Sequence, residues 1–435
     1  MTDENSSLKQ QVNSSSLPEY EHWGDQHSQY GGFPSIEQGE IIPLEQRESL
    51  PSFERRDAIP AYVQSPAPNP AFAHVYNNKG DAFYKLKRYE EALAAYEQAI
   101  SLSPGEAIYY NNKGNALRKF HRYEEALLTY QQAIRLNPHN AIFYHNMGIA
   151  LLMLKRYDEA LSTCQHALSL QPRKYWVFAA RGNILYRLKR YEEALADYEQ
   201  ALWLNPNDAE AYNGKGNVLY RLNRYSEALN AYERSLYLNS NSADTHNNRG
   251  NALRKLERYE EALEAYEEAI RRDPRRASSY YGNKSLVLYH LGLYEEAIVT
   301  CDQVIRSDPD NTLAYHNKGN SLRKLGRYHE AIEAYDQALA HEPNNTRLHT
   351  ARGDILLYCL KLPEEALEAY ERILLIDPEN PFALVARGLA LYHLERYEEA
   401  IEAYDQALRI TPNDASTAGN RYKAQLALKR YQEQQ

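Results

Sequence analysis

Three rows of polar side chains recur through this 435-residue chain at a spacing that could hold a peptide. The first row is Asn78, Asn112, Asn146, Asn248, Asn283 and Asn317. Three residues further along its repeat unit comes a second, Asn115, Asn183, Asn217, Asn251 and Asn320. Four residues beyond that stand Lys85, Lys119, Arg187, Arg221, Lys255 and Lys324, with Arg118, Arg254 and Arg323 beside them. Steps of three and four residues place all three rows on one face of a helix. An asparagine amide both donates and accepts hydrogen bonds. A ladder of such amides can bond the backbone of an extended chain without reading its side chains, and the cations beyond it would favour carboxylates. Plainer readings stand beside this one. The amides could serve packing or solubility in copied units, and the cations could be solvated helix ends, favourable at the negative end of the helix dipole.

Other chemistry is absent from the pattern. There is no glycine-rich phosphate loop, no HExxH and no GxSxG. Glu-Glu pairs recur at one place in seven of the ten units, where they favour the positive end of a helix dipole rather than acid/base work. Fourteen histidines lack ligand spacing. Cys164, Cys301 and Cys359 are too far apart for a zinc site or a CxxC motif. The expectation is a protein that is no enzyme, with no catalytic residues, no metal site and no cofactor.

The elements that carry the rows are marked by the phrase RYEEAL and its variants. Its alanine falls at Ala92, Ala126, Ala160, Ala194, Ala228, Ala262, Ala297, Ala331, Ala366 and Ala400, a period of 34 or 35 residues. Twelve residues earlier stands a glycine, from Gly80 and Gly114 to Gly388, with Ser285 in repeat seven and one inserted residue after Gly353 in repeat nine. Four residues after the alanine comes a tyrosine, from Tyr96 to Tyr404, replaced by Cys164 and Cys301. Twelve after it comes a proline, from Pro104 to Pro412, replaced once by Ser240. Such a period means stacked supersecondary units. Small glycine and alanine let paired helices approach, tyrosine and leucine fill the space between hairpins, and proline ends the second helix.

This pattern resembles the tetratricopeptide repeat family over residues 73–414. The resemblance implies an all-α fold, a right-handed α-α superhelical solenoid of ten helical hairpins. Its concave groove would be lined mainly by the first helix of each, which makes the three rows groove residues. Asn112 also matches one member of the family's carboxylate clamp, whereas Asn77 and Ile108 stand where lysines would complete it.

Outside the repeats, residues 1–72 are rich in Ser, Gln, Glu and Pro, and the composition predicts disorder. Their eleven acidic and four basic residues hold most of the formal charge of -9. They could occupy a basic groove or remain a free leader. Residues 415–435 read as one more first helix without a partner, a capping element. Net acidity weighs against nucleic acid. No signal peptide or membrane-spanning stretch is visible, so no membrane insertion and a cytoplasmic location are expected. The sequence thus predicts a scaffold for other proteins or peptides, binding an extended acidic segment. The alternative is a structural array that self-associates.

Overall fold

The computed structural model describes residues 70–434. They divide into two compact units, residues 70–248 and 249–434, and each is a stack of helical hairpins. The described residues contain no strand. The fold is all-α, a solenoid of ten hairpins followed by one further helix, Ala415–Gln434. The first helix begins at Pro70, so the last three residues of the expected leader are helical. A proline is well placed there, because its missing N–H falls where the helix has no acceptor for one. The rest of the leader, and its expected disorder or docking, lies outside the described residues.

Each repeat has a first helix, A, such as Ala107–Lys119, and a second, B, such as Tyr123–Leu136. Two backbone bonds close helix A. In the first repeat Arg88 N–H donates to the Phe83 carbonyl at 2.9 Å and Lys87 N–H to that of Tyr84 at 3.0 Å. This closure puts the intervening residue in the left-handed region, and Lys87, Lys155, Lys189 and Glu257 all adopt it. Helix B then starts on an arginine. Arg122 places its guanidinium 2.6 Å from both oxygens of Glu125, and the pair recurs as Arg156–Glu159, Arg190–Glu193 and Arg258–Glu261. Where that arginine is present the glutamate three residues on is therefore held by the helix start, whereas Leu293 and Leu362 take its place in repeats seven and nine. These exposed pairs contribute little to stability individually.

Helix B ends two residues before the expected proline, at Leu102, Leu136 or Leu204. Tyr225–Leu238 ends at the same register although Ser240 replaces the proline. The proline therefore follows the stop and does not cause it. In repeat nine the inserted residue is absorbed as a π-helical turn, Ile355–Leu360, at the end of helix A. An extra residue in a helix is accommodated by such a bulge without breaking the helix.

The two helices of a hairpin meet where the tyrosine lies on the glycine. A Cβ built on Gly80 would stand 2.5 Å from the Tyr96 ring, and the same holds for Gly114 with Tyr130, Gly216 with Tyr232 and Gly319 with Tyr335. These tyrosines are almost wholly buried. The tyrosine thus seals its own hairpin first, rather than only the space between hairpins. Neighbouring hairpins are linked by a second repeated contact, from the residue before the glycine to helix B of the previous repeat. Lys113–Glu97 is 2.9 Å, Lys215–Glu199 2.9 Å, Lys318–Asp302 2.7 Å and Arg352–Asp336 2.7 Å. Helix Ala415–Gln434 packs on Tyr397–Ile410 and makes the same link, Arg421–Asp405 at 2.5 Å. At its glycine slot stands Tyr422, largely exposed.

Helices A of successive repeats touch one another, while the helices B stand farther apart. Within each unit the A helices therefore form the inner wall.

Replacing Gly250 with leucine is expected to destabilise by about 1–3 kcal/mol, because the new side chain meets the buried Tyr266 ring. Hydrogen exchange should show the loss in the Gly250 repeat and its neighbours. Uniform loss along the array would contradict this.

Candidate peptide interface

The first asparagine row lies where consecutive A helices meet. The Asn112 amide donates to Asn77 at 3.1 Å and to Asp81 at 3.3 Å, both in the previous repeat. Asn146 donates to Asn111 at 2.8 Å, Asn248 to Asn213 at 3.2 Å and Asn217 at 3.0 Å, and Asn317 to the Ser285 hydroxyl at 3.2 Å. Asn146, Asn248 and Asn317 are buried, Asn112 and Asn283 half-buried, and Asn78 exposed. In this row the amide N–H groups stitch one repeat to the next. Their acceptors Asn111 and Asn213 were not singled out in the sequence, and Asn77 entered there only as a clamp position, although all three recur one residue before the row.

The second row faces the buried tyrosines. Tyr130 donates to Asn115 at 2.9 Å, Tyr198 to Asn183 at 2.7 Å, Tyr232 to Asn217 at 2.9 Å, Tyr266 to Asn251 at 2.8 Å and Tyr335 to Asn320 at 2.7 Å. Asp81 and Asp354 serve Tyr96 and Tyr370 in the same way. In repeats three and seven the tyrosine becomes Cys164 or Cys301, and the facing position becomes Ile149 or Leu286. A hydroxyl needs an acceptor when buried and a thiol does not. Burial pushes both thiols up to about 12, as expected of inert packing residues. Repeat ten breaks the rule. Tyr404 is fully buried, Leu389 stands where its acceptor would be, and its hydroxyl has no partner.

The cations divide into two sets. Those before the glycines, such as Lys113, Lys215 and Lys318, and those at the starts of the B helices are paired with carboxylates, whereas Lys79 before Gly80 lies over the Phe83 ring. In the third row, Lys85, Lys119 and Lys324 are exposed at the ends of their A helices and make no ion pair, and Lys324 lies over the Tyr289 ring at 5.9 Å. Arg187, Arg221 and Lys255 are half-buried, and Arg221 donates to the Tyr186 hydroxyl at 3.2 Å. Beside Lys119, the half-buried Arg118 has an enclosed Nε without a partner. It also acts on the Tyr130 hydroxyl, which burial raises to about 12 and Arg118 holds back. Burial lowers the Lys119 ammonium and Arg118 lowers it further, while Glu210, three repeats along, opposes them.

Repeat nine holds a buried carboxylate. Asp354 accepts from Tyr370 with one oxygen, and the other has no partner. Burial raises its carboxyl to about 6, with the Tyr370 bond and the Arg323 charge opposing. Among the described residues no group of side chains could hold a metal ion, and no helix is long and apolar enough to cross a membrane.

This geometry agrees with the comparisons to known proteins. Tetratricopeptide repeat profiles match residues 71–138, 111–174, 182–223, 216–256, 243–276, 278–311, 312–345 and 361–426. The chain belongs to the tetratricopeptide repeat family, whose hairpin arrays serve as scaffolds for protein–protein interaction. No curated protein matches it. Among solved structures it is similar to yeast Tom70, at 14% identity over 83% of this chain and 96% of that one, with TM-score 0.41. It is also similar to YrrB, described as a TPR protein with an unusual peptide-binding site, at 29% identity over 42% and 94%, with TM-score 0.34. A third is pilF of Pseudomonas aeruginosa, at 21% identity over 47% and 94%, with TM-score 0.42.

Two outcomes follow from the buried polar groups. Asn251→Ala leaves the Tyr266 hydroxyl without its acceptor and should cost about 1–3 kcal/mol. Adding Tyr266→Phe should cost much less than the sum of the single changes; additive losses would show that the two do not interact. Asp354→Asn keeps an acceptor for Tyr370 and removes a carboxyl whose folded value of about 6 lies above the ordinary one. Below about pH 4 the carboxyl is protonated whether folded or unfolded. As pH rises to 6 the unfolded chain ionises first and native stability falls. The substitution should therefore stabilise by on the order of 2 kcal/mol at pH 7 and by little at pH 4. Thermal melts at both pH values test this, and an equal effect at both would refute it.

Proposed function

We propose that this scaffold holds an extended, acidic peptide segment against the inner wall formed by its A helices. The division of the cations carries this reading. Cations that stabilise the stack have carboxylates within 3 Å or so, as in Lys113–Glu97, whereas Lys85, Lys119, Lys324 and Arg118 have none. Within residues 70–248, Lys85, Lys119 and Arg118 stand on the A helices without a bonded carboxylate, and such charges attract the opposite sign and steer it in.

The amides take a narrower role than a complete ladder. The first row is largely committed between repeats and gives the wall its spacing. In the second row the carbonyl oxygens of Asn115 and Asn183 accept tyrosine hydroxyls, which leaves their N–H groups to donate to a peptide carbonyl. The row fades in repeats nine and ten, where Asp354 and Leu389 replace asparagine. Self-association by adding hairpins is less well supported. Tyr422 fills the glycine slot of the last helix, where the next tyrosine-bearing helix would have to dock.

Changing Lys85, Lys119 and Lys324 to glutamate should weaken binding of a poly-glutamate probe about tenfold or more, and should flatten its salt dependence. The melting temperature should stay nearly constant, since these side chains are exposed and unpaired. Fluorescence titration of both proteins at two salt concentrations gives the answer. Equal affinities would remove the acidic-peptide reading.

A further inference from the structure

Arg118 carries an enclosed guanidinium nitrogen without a hydrogen-bond partner, as its counterpart Arg323 does. It is half-buried, its Nε is shielded from solvent, and neither that nitrogen nor the rest of the guanidinium is paired with a carboxylate among the described residues. Charges withdrawn from water are normally paired, because losing hydration without a counter-charge is costly. The corresponding arginine of repeat eight, Arg323, acts on the buried Asp354 carboxylate. Arg118 of repeat two has no such carboxylate in the following repeat, because repeat three carries Ile149 where repeat nine carries Asp354.

Polar and aromatic side chains of the next two repeats lie beyond Arg118. His145, from helix A of the next repeat, feels its charge and also has a buried Nδ1 without a partner. The His145 ring is fixed edge-on against the Trp176 indole, from the repeat after that, with centroids 4.5 Å apart. Burial, reinforced by Arg118, lowers the imidazole to about 3, so it stands as a neutral ring that can donate one N–H. Lys119 lies at the rim. The Tyr130 hydroxyl, already donating to Asn115, orients the guanidinium from behind.

We infer that repeats two to four form a carboxylate-receiving station, in which Arg118 takes one acidic side chain of a bound peptide, Lys119 closes the rim and the His145–Trp176 pair forms the wall. The inference rests on the acidic-peptide reading above and gives it a fixed register. A planar guanidinium fork matches a carboxylate in two parallel bonds, so the station should distinguish a carboxylate from an amide of the same shape. Glu210, which acts on Lys119 from three repeats along, bounds the site with opposite charge and disfavours a second acidic side chain next to the first. The expected ligand segment therefore carries one well-placed glutamate or aspartate here, rather than an unbroken acidic run.

The test uses the full chain and a set of acetylated, amidated peptides in which a single central position is glutamate, glutamine or phosphoserine and acidic residues flank it at a distance. The wild type should bind the glutamate peptide at least tenfold more tightly than the glutamine peptide. Arg118→Gln should abolish that preference while retaining residual affinity, whereas Lys255→Gln should weaken all peptides alike and leave the preference intact. The His145 ring signals in nuclear magnetic resonance should move with the glutamate peptide and not with the glutamine one. A preference that survives Arg118→Gln, in a protein whose circular dichroism is unchanged, overturns the station. So does a wild type that binds these peptides without distinguishing glutamate from glutamine, or one that prefers phosphoserine and inorganic phosphate. If the wild type binds none of them, the acidic-peptide reading itself fails, and a poly-glutamate titration shows which of the two has fallen.

Discussion

The contact between a glycine on helix A and a tyrosine on helix B sets the geometry of every other feature. The ring lies so close that a Cβ on Gly216 would stand 2.4 Å from Tyr232. Such an approach brings a large aromatic surface out of water, and it also buries a hydroxyl that must find an acceptor. The position one residue beyond the glycine supplies it, as Asn217 does for Tyr232. The asparagine thus fixes the rotation of helix A about its axis, and with it the direction of every side chain on the inner wall. Where the tyrosine is absent, in the Cys164 and Cys301 repeats, the acceptor is absent too. The paired replacement shows that the two positions act as one unit.

Stacking uses a different set of bonds, and these explain how an array with small hairpins stays ordered. No hairpin buries its apolar surface alone, so each depends on its neighbours. The amide links from Asn112 to Asn77 and from Asn248 to Asn213 fix the inner edge of the stack, and ion pairs such as Lys318–Asp302 fix it nearer the B helices. The half-exposed ion pairs are weak individually. Their regular placement specifies which face meets which, and leaves Lys85, Lys119 and Lys324 at the ends of their A helices outside the ion-pair pattern. Those cations are the basis for a binding function, because a charge with no structural partner remains available to a ligand.

Repeats nine and ten show the cost of departing from the unit. The extra residue becomes a π-helical turn next to Asp354, a carboxylate replaces an amide in a buried place, and the Tyr404 hydroxyl is left without an acceptor. Each of these works against stability, and together they make this end of the second unit chemically distinct from the regular repeats. The basic row also disappears there, with Tyr358 and His393 in its place.

The sequence by itself determined the period, the helix pairs, the glycine and tyrosine that join them and the family, because these follow from local pattern repeated at fixed spacing. It also located the rows on one helical face. It could not determine what each row touches. Asn112 and Asn115 are three residues apart and chemically identical, yet one bonds the previous repeat and the other a tyrosine of its own. Lys113 and Lys119 lie in the same helix, yet one is paired and the other is not. The partners in these cases stand 15 to 35 residues away in the chain. Copies that repeat at that same distance make every candidate partner look alike until the hairpins are stacked. Only the tertiary structure decided which amides hold the array together and which charges remain for a ligand.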